Sequence, residues 1–424
     1  MLKRANYFLR EVLYRDSLFR VPLHFGTVRE QDIATLAKGA GDLDRFHDLC
    51  RTVVGGGAVY SFAAGRMALF ALLRALQIGP GDEVILPAFT CVVVPNAIQF
   101  VGARPVYAEI DPRTFNLDPD DVARKLTTRT RGILAQHTFG IPAPMDQLRA
   151  LVSDRPDIVL LEDACHALGA TLHGRPVGSL AECAFFSTDA TKMVCTDIGG
   201  FAVANTPALA AQLRLQWERA GELPAAVQAK LPAQFRRKYR YTRSEYYWGA
   251  GRFQLGMMLR NGSGFQYTDE LDNRLPTGYP YPSRFPAILA MVALSQLHQL
   301  AANLAHRRRV VERYREIFRD LPQAQLAPGA EASWLQFPLR VREPARWRQI
   351  FDRYVQVSDW FNSAAYGCRS ELSVVGYENG SCPVSETVHG SMVAFPTHFL
   401  VTDAVLDKVE SLYRRFRSTL PGAE

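Results

Sequence analysis

A single lysine stands between two apolar stretches of this chain. Residues 183–186 read Cys-Ala-Phe-Phe and residues 201–204 read Phe-Ala-Val-Ala, as buried strands do, and Lys192 lies in the polar segment between them. Burial disfavours the charged form of a lysine, because it removes the ammonium group from water. Lys192 is therefore either a buried amine with a chemical role or a residue on an exposed loop, and this segment alone is compatible with both.

An acid ends another apolar stretch further upstream. Residues 158–161 read Ile-Val-Leu-Leu, and Glu162 and Asp163 follow. In a parallel sheet such strands are buried on both faces, and ligands bind at their carboxyl ends. An acid there, with a lysine after the next strand, suits pyridoxal 5'-phosphate (PLP): the lysine forms a Schiff base, and the carboxylate pairs with the protonated pyridine nitrogen. We therefore predict that Lys192 and Asp163 are catalytic residues.

Several short motifs occur in an order that resembles one family. They are Glu162-Asp163-Ala-Cys-His166, Gly178-Ser, Phe185-Phe-Ser187, Thr191-Lys192 and Gly199-Gly. Between Tyr60 and Phe416 the chain resembles the DegT/StrS type of sugar aminotransferase, within the fold type I PLP-dependent transferases. The resemblance implies an α/β fold with a large domain, whose mostly parallel central sheet is flanked by helices, and a smaller α+β C-terminal domain. Alternating strand and helix patterns predict the same kind of sheet.

The sequence suggests three regions. We place an N-terminal extension at 1–45, the large PLP-binding domain at 46–300 and the small domain at 301–424. The resemblance fades over 215–277, an insert in which basic and aromatic residues alternate, as in 234–248. Such a pattern can bind nucleic acid by stacking and phosphate contact. We favour a subunit interface or an active-site lid, because aromatics and arginine are enriched at interfaces and no nucleic-acid-binding signature is present.

The resemblance also implies a set of cofactor-binding residues. Relatives carry Ser-Gly-Thr at the start of a helix where this chain has Ala64-Gly65-Arg66. A helix N-terminus favours phosphate, and the guanidinium of Arg66 could replace the threonine hydroxyl. Ser187 stands where relatives place a serine hydroxyl on the phosphate. His166 stands where relatives place His or Gln beside the cofactor ring.

Two positions in the predicted cofactor pocket depart from the family pattern. Cys91 stands where relatives commonly have an aromatic residue that stacks on the pyridine ring, although Phe89 is close in sequence. Asp189 stands three residues before the lysine, where relatives often have histidine. We include Cys91 among the cofactor-binding residues, and the residue that stacks on the ring remains open.

Two further residues are candidates for substrate binding. Arg284 ends the segment 278–284, which corresponds to a Gly-Tyr-Asn-Tyr-Arg motif in relatives. Their asparagine reaches the phosphate in the partner subunit's site, but Pro282 occupies that position here, so this contact is lost or rebuilt. His137 ends a predicted strand at the ligand face, where it is either a substrate contact or a buried histidine that bonds to the backbone.

The resemblance implies an aminotransferase that moves an amino group from an amino acid, by resemblance glutamate, to a ketone. The implied ketone is a nucleotide-linked keto sugar in polysaccharide or natural-product biosynthesis. The relative that dehydrates deoxysugars has histidine in place of the lysine, so Lys192 argues against that reaction. The alternative is a PLP-binding protein of the same fold with another PLP chemistry or a regulatory, weakly catalytic role, because several pocket positions differ. A homodimer with shared active sites is expected.

Composition is that of a soluble globular protein: 424 residues, 48% hydrophobic and 21% charged. The formal charge of +7 suits anionic small ligands. Seven scattered cysteines predict reduced thiols in a cytoplasmic protein without a bound metal. Phe8, Leu9, Val12 and Leu13 are spaced as in a basic amphipathic helix, which could lie on a membrane surface. We favour packing on protein, because no signal peptide or spanning segment is evident.

Overall fold

The computed structural model describes residues 17–39, 41–260, 265, 267 and 269–420. The amphipathic pattern predicted for residues 8–13 lies outside the described residues. Leu18, next to the first described residue, is 61% exposed. The ring of Phe19 lies 5.9 Å from that of Tyr354. The start of the described chain therefore packs against the C-terminal part of the molecule.

A seven-stranded sheet forms the centre of the fold. Its strands are β1 (Ala58–Phe62), β2 (Glu83–Pro87), β3 (Arg104–Ala108), β4 (Thr130–Gln136), β5 (Val159–Asp163), β6 (Cys183–Ser187) and β7 (Gly200–Ala204). Their order in space is β1-β7-β6-β5-β4-β2-β3. Only β7 runs against its neighbours, and the pairs β6–β5, β5–β4, β4–β2 and β2–β3 are parallel. The predicted mostly parallel sheet is confirmed.

Helices cover this sheet and build the C-terminal part. They are α1 (Glu30–Thr35), α2 (Leu43–Val53), α3 (Gly65–Ala75), α4 (Val93–Phe100), α5 (Pro119–Lys125), α6 (Met145–Leu151), α7 (Pro207–Arg219), α8 (Ala225–Gln228), α9 (Leu231–Tyr241), α10 (Ser244–Tyr246), α11 (Arg252–Arg260), α12 (Ala290–His298), α13 (Leu300–Ile317), α14 (Pro344–Phe351), α15 (Pro383–His389) and α16 (Asp403–Phe416). Helices α8 to α11 come from the predicted insert.

The N-terminus of helix α3 packs against the end of β6 and the start of β7. Its Ala- and Leu-rich sequence is buried along most of its length, as expected for a helix that packs on a sheet. A Cβ atom at Gly200 in β7 would lie 2.6 Å from the Cα of Gly65. Only glycine at position 200 permits this approach, which brings the helix N-terminus to the edge of the sheet.

The sequence pattern over 287–318 predicts one long helix, but the structure divides this segment into two helices. Helices α12 and α13 meet at Gln299 with a bend of 58°. The reason is that the two halves belong to different cores. Leu294 of α12 packs in the core around the seven-stranded sheet, whereas Tyr314 of α13 packs with Phe395 in a second core. That second core surrounds a two-stranded antiparallel sheet, β8 (Gln336–Arg340) and β9 (Met392–Pro396).

Among the described residues, one bent helix pair has the length and composition of a membrane span. No single helix in the described part of the chain is both long and apolar enough to cross a bilayer. The pair Ala287–His298 and Leu300–Ile317 meets these criteria only when its two halves are taken together.

His47 provides a test of how burial affects stability. This residue of α2 is 7% exposed. Its Nε2 accepts the backbone N–H of Ser61 at 3.2 Å, which requires the neutral ring. Burial lowers the pKa of His47 from 6.5 to about 4. The folded state therefore binds a proton at His47 less readily than the unfolded chain does. The stabilisation that neutral His47 provides is complete above pH 6.5 and is lost as the pH falls towards 4.

Substitution of His47 by glutamine should weaken this acid sensitivity. Between pH 7 and pH 5, His47 should account for about 2 kcal/mol of the fall in the free energy of unfolding. Urea unfolding, followed by circular dichroism at both pH values, measures this fall in the free energy of unfolding for wild type and for His47→Gln. His173→Gln, which changes an exposed histidine, serves as the control. Equal falls in wild type and His47→Gln would contradict this assignment.

Candidate active site

The carboxyl ends of neighbouring parallel strands open into one cavity of about 570 Å³. Strands β4, β5 and β6 end at Gln136, Asp163 and Ser187, and all three residues line it. All seven residues expected to bind the cofactor also line this cavity: Gly65, Arg66, Cys91, Asp163, His166, Ser187 and Lys192. The structure thus brings together residues that are spread over the sequence from position 65 to position 192.

Lys192 faces this cavity and is only 8% exposed. It lies on the loop between β6 and β7, where its backbone N–H donates to the carbonyl of Asp189 at 3.1 Å. The hydroxyl of Thr27 donates to the Lys192 carbonyl at 3.4 Å. Its Nζ lies 4.9 Å from the ring centroid of Trp360, within the range of a cation–π contact. The structure therefore supports the buried amine and not the exposed-loop alternative.

The adjacent acids Glu162 and Asp163 have different functions because successive side chains of a strand point to opposite faces. The carboxylate of Glu162 accepts backbone N–H groups from Gly178, Leu180 and Ala181, so it fastens a loop. Asp163 points into the cavity and accepts the N–H of Cys165 at 3.1 Å.

The pKa of Asp163 is raised from its usual value. Burial is the main cause, although the Cys165 N–H and the positive charge of Lys192 act in the opposite direction. A buried carboxylate of this kind is stabilised by any cationic N–H group that enters the cavity.

The N-terminus of α3 and Ser187 form the polar end of the cavity. Ala64, the N-cap residue, provides no side-chain cap, so the first N–H groups of the helix are left for another acceptor. A Cβ at Gly65 would lie 3.0 Å from the Cβ of Ser187. The helix start and the serine hydroxyl therefore face the same space, which is a suitable arrangement for an anion.

Arg66 lines the cavity but already has a protein partner. Its Nε lies 2.9 Å from a carboxylate oxygen of Glu270, and its guanidinium stacks on the ring of Tyr267 at 4.6 Å. A buried guanidinium needs a counterion, and the insert supplies one. The expected replacement of a threonine hydroxyl by Arg66 is thus accompanied by an ion pair that the sequence did not indicate.

Aromatic rings line the cavity beside His166. The His166 ring lies parallel to that of Trp360, with centroids 5.3 Å apart and an interplanar angle of 7°. Burial lowers the pKa of His166 well below 6.5, so its ring is neutral. Cys91 pairs with Tyr366 in a short parallel bridge. Phe89 is not among the cavity-lining residues and packs in the second core. Trp360 is the ring that sequence analysis missed.

The two residues expected to bind substrate lie elsewhere. His137 is fully buried, with its Nε2 3.1 Å from Glu162 and its Nδ1 accepting the N–H of Ala143 at 2.9 Å. It therefore supports the loop fastened by Glu162. Arg284 pairs with Glu222 at 3.1 Å near the surface. Neither residue lines the cavity of this chain, so a single subunit does not bring them together with the residues expected to bind the cofactor.

The predicted insert forms one wall of the cavity. Its contributing residues are Lys238, Thr242, Leu255, Phe265, Tyr267 and Leu271. The Nζ of Lys238 lies 2.6 Å from Asp197, and both side chains are at most 10% exposed. Gln234 donates to the other oxygen of Asp197 at 2.7 Å. The insert therefore contributes side chains to the cavity within one subunit, which the sequence interpretation as an interface or a lid did not specify.

Fold and cavity together show an α/β protein with a buried lysine and a buried acid at the carboxyl edge of a mostly parallel sheet. Residues 34–412 match the DegT/DnrJ/EryC1/StrS aminotransferase family, and the chain belongs to this family. The fold is that of the fold type I PLP-dependent transferases.

Similarity to individual proteins agrees with this assignment. The chain is 42% identical to GDP-perosamine synthase of Caulobacter vibrioides over 151 residues, 36% of this chain and 40% of that protein. It is 38% identical over 151 residues to dTDP-4-dehydro-2,3,6-trideoxy-D-glucose 4-aminotransferase of Saccharopolyspora spinosa, covering 36% and 39%. These matches span about two fifths of each relative's length. The aminotransferase TlmJ of Streptoalloteichus hindustanus has a similar structure, with a TM-score of 0.70, 25% identity and coverage of 95% and 99%.

The buried Asp197–Lys238 pair should be sensitive to the loss of one partner. Lys238→Met leaves a buried carboxylate without its cation and should lower the free energy of unfolding by about 3–5 kcal/mol. The double variant with Asp197→Asn should recover most of this loss, because both charges are removed and asparagine tolerates the φ of 70° at position 197. Guanidinium unfolding measures both effects.

The exposed pair Arg214–Glu218 provides the control for this experiment. Arg214→Ala should cost less than about 1 kcal/mol. A double variant no more stable than Lys238→Met would show that the loss does not come from an unpaired charge.

Proposed function

We propose that this chain is a PLP-dependent aminotransferase that moves an amino group from glutamate to a nucleotide-linked keto sugar. The observation that carries the proposal is that the amine of Lys192 and the carboxylate of Asp163 line the same buried cavity. Family membership supports the reaction class. The name of the Saccharopolyspora relative, which acts on a dTDP-linked dehydro sugar, supports the acceptor class.

The residues present fit PLP. The cavity offers an amine for its aldehyde at Lys192 and a buried acceptor for its pyridine N–H at Asp163. The uncapped start of α3, with Ser187, suits its phosphate. When bound, PLP supplies an electron sink that stabilises negative charge at the reacting carbon. His166 and Trp360 provide flat rings beside this space.

The protein's own groups then have distinct tasks. Asp163 holds a proton on its partner nitrogen, because burial makes an unpaired carboxylate unfavourable there. The amine of Lys192 takes a proton from the carbon of the donor and delivers one to the carbon of the acceptor. Phe185, Val357 and Phe361 give the cavity an apolar lining that limits access of water.

We further propose that the protein acts in the cytoplasm as a homodimer. All seven cysteines are unpaired thiols, which is typical of a reducing compartment. The surface position of Arg284 leaves it available to the site of a partner subunit, as the family resemblance suggests. Sedimentation equilibrium should give twice the chain mass of 47.4 kDa; the mass of a single chain would contradict the dimer.

The two half-reactions can be followed in the absorbance of the PLP-loaded protein. Wild type should be yellow, and borohydride should fix the cofactor to the chain. Glutamate should bleach the colour, and a nucleotide-linked 4-keto sugar should restore it. A colour that glutamate and other amino acids leave unchanged would favour the binding-protein alternative over the aminotransferase.

Lys192→Ala should abolish both half-reactions, because it removes the amine that binds the cofactor and carries the proton. Peptide mass analysis after borohydride treatment should find the cofactor on residue 192 in wild type and on no residue in the variant. Lys230→Ala, at an exposed position, is the matched control and should behave as wild type. Measurable turnover by Lys192→Ala would remove this lysine from the mechanism.

A further inference from the structure

A short segment before the family region forms part of the cavity. We call residues 21–28 the N-terminal strap; they precede the matched span 34–412. Val21 pairs with Val355 in a parallel bridge, and the N–H of Phe25 donates to the carbonyl of Ala190 at 2.7 Å. The strap therefore runs along the loop that carries Lys192 and brings residues 23–25 into the cavity lining.

His24 is the polar side chain that the strap contributes to the cavity. It is half-buried, and among the described residues its ring nitrogens have no hydrogen-bond partner. Other buried histidines differ: His47 bonds to Ser61, His137 to Glu162 and His398 to the carbonyl of Pro22. A neutral imidazole carries one donor and one acceptor, and leaving both unused in a cavity is unfavourable. His24 is thus available to a ligand.

The charges around His24 indicate which kind of ligand group it would bind. The carboxylates of Asp189 and Asp197 and the ammonium group of Lys238 act on it electrostatically. Burial is the main reason that the pKa of His24 is lowered from 6.5, so the ring is neutral at pH 7. A neutral ring brings no positive charge with which to bind a carboxylate or a phosphate, and two carboxylates already act on it. A hydroxyl group, which can both donate and accept, fits this position.

The position of His24 along the lysine loop completes the argument. The strap lies against residue 190, two residues before Lys192, and Thr27 bonds to the carbonyl of Lys192 itself. Because His24 and the amine of Lys192 line the same cavity, an acceptor whose carbonyl reaches that amine can also extend to the strap.

We propose that His24 hydrogen-bonds a hydroxyl of the keto-sugar acceptor next to the reacting carbonyl, and so selects acceptors that carry it. This inference rests on the proposed function, because it assumes a keto-sugar acceptor. It assigns a substrate-recognition role to a residue outside the matched family region.

Acceptors with and without ring hydroxyls test the proposal. The probes are 4-keto-6-deoxyglucose and 4-dehydro-2,3,6-trideoxyglucose, each linked to dTDP and to GDP. For wild type in its amine form, kcat/KM for the hydroxylated sugar should be at least about 10-fold higher than kcat/KM for the trideoxy sugar. His24→Phe, which keeps a flat ring, should lower this kcat/KM by about 10- to 100-fold, mainly through KM, and abolish the preference. His24→Gln, which keeps a hydrogen-bonding side chain, should retain part of the preference for the hydroxylated sugar.

Controls distinguish recognition from a structural effect. His173→Phe, at an exposed histidine, should keep the wild-type preference. PLP affinity, measured from the absorbance of the bound cofactor, and the rate of bleaching by glutamate should change much less in His24→Phe than the acceptor reaction. An equal loss in all three quantities would show that His24 only supports the fold, and would overturn the proposal.

The remaining outcomes separate this inference from the function on which it rests. If wild type reacts with these acceptors but His24→Phe keeps the preference for hydroxyls, the proposed function stands and the role of His24 is wrong. If glutamate bleaches wild type and none of the four sugars restores the colour, the proposed acceptor class is wrong and this inference is overturned with it. If His24→Phe does not fold, the comparison of His24→Gln with wild type decides.

Discussion

The structure depends on one constraint, which is that charged groups inside the cavity need partners that water cannot supply. Three cationic side chains line this space, and each meets the constraint differently. Arg66 pairs with Glu270, and Lys238 pairs with Asp197. Lys192 has the face of Trp360 and the charges of Asp163 and Asp189 nearby. Among the described residues its amine has no ion-pair partner of its own, whereas the other two cations are fixed as parts of the wall.

This constraint gives the insert and the strap their roles. Glu270 and Lys238 both come from the insert, so the segment in which family resemblance fades pairs with two buried charges, Arg66 and Asp197, from the rest of the chain. The strap connects the segment 355–361, which carries Trp360, to the loop that carries Lys192. A change in either segment would alter the electrostatics of the cavity as well as its shape.

Much of the fold and the centre of the site could be predicted, because the relevant signals are local. Continuous apolar runs that end in polar residues indicated the strands whose carboxyl ends hold Asp163 and Ser187, and parallel pairing places those ends at one edge. The glycine at the start of α3 was recognisable from its place in the motif order. The break between α12 and α13 could not be predicted, because the helical periodicity of the sequence continues across it while the core that the helix faces changes.

Sequence by itself determined which strands end at the site and which lysine and acid they present. The tertiary structure decided what surrounds them. Alternation along β5 puts the side chains of Glu162 and Asp163 on opposite faces of the sheet, but it does not say which face holds the cavity. Only the contact between His137 and Glu162 in the structure shows that His137 lies on the face away from the cavity. His24, Lys238 and Trp360 come from segments far apart in the chain. Their meeting is a long-range packing result, and no local pattern of residues encodes it.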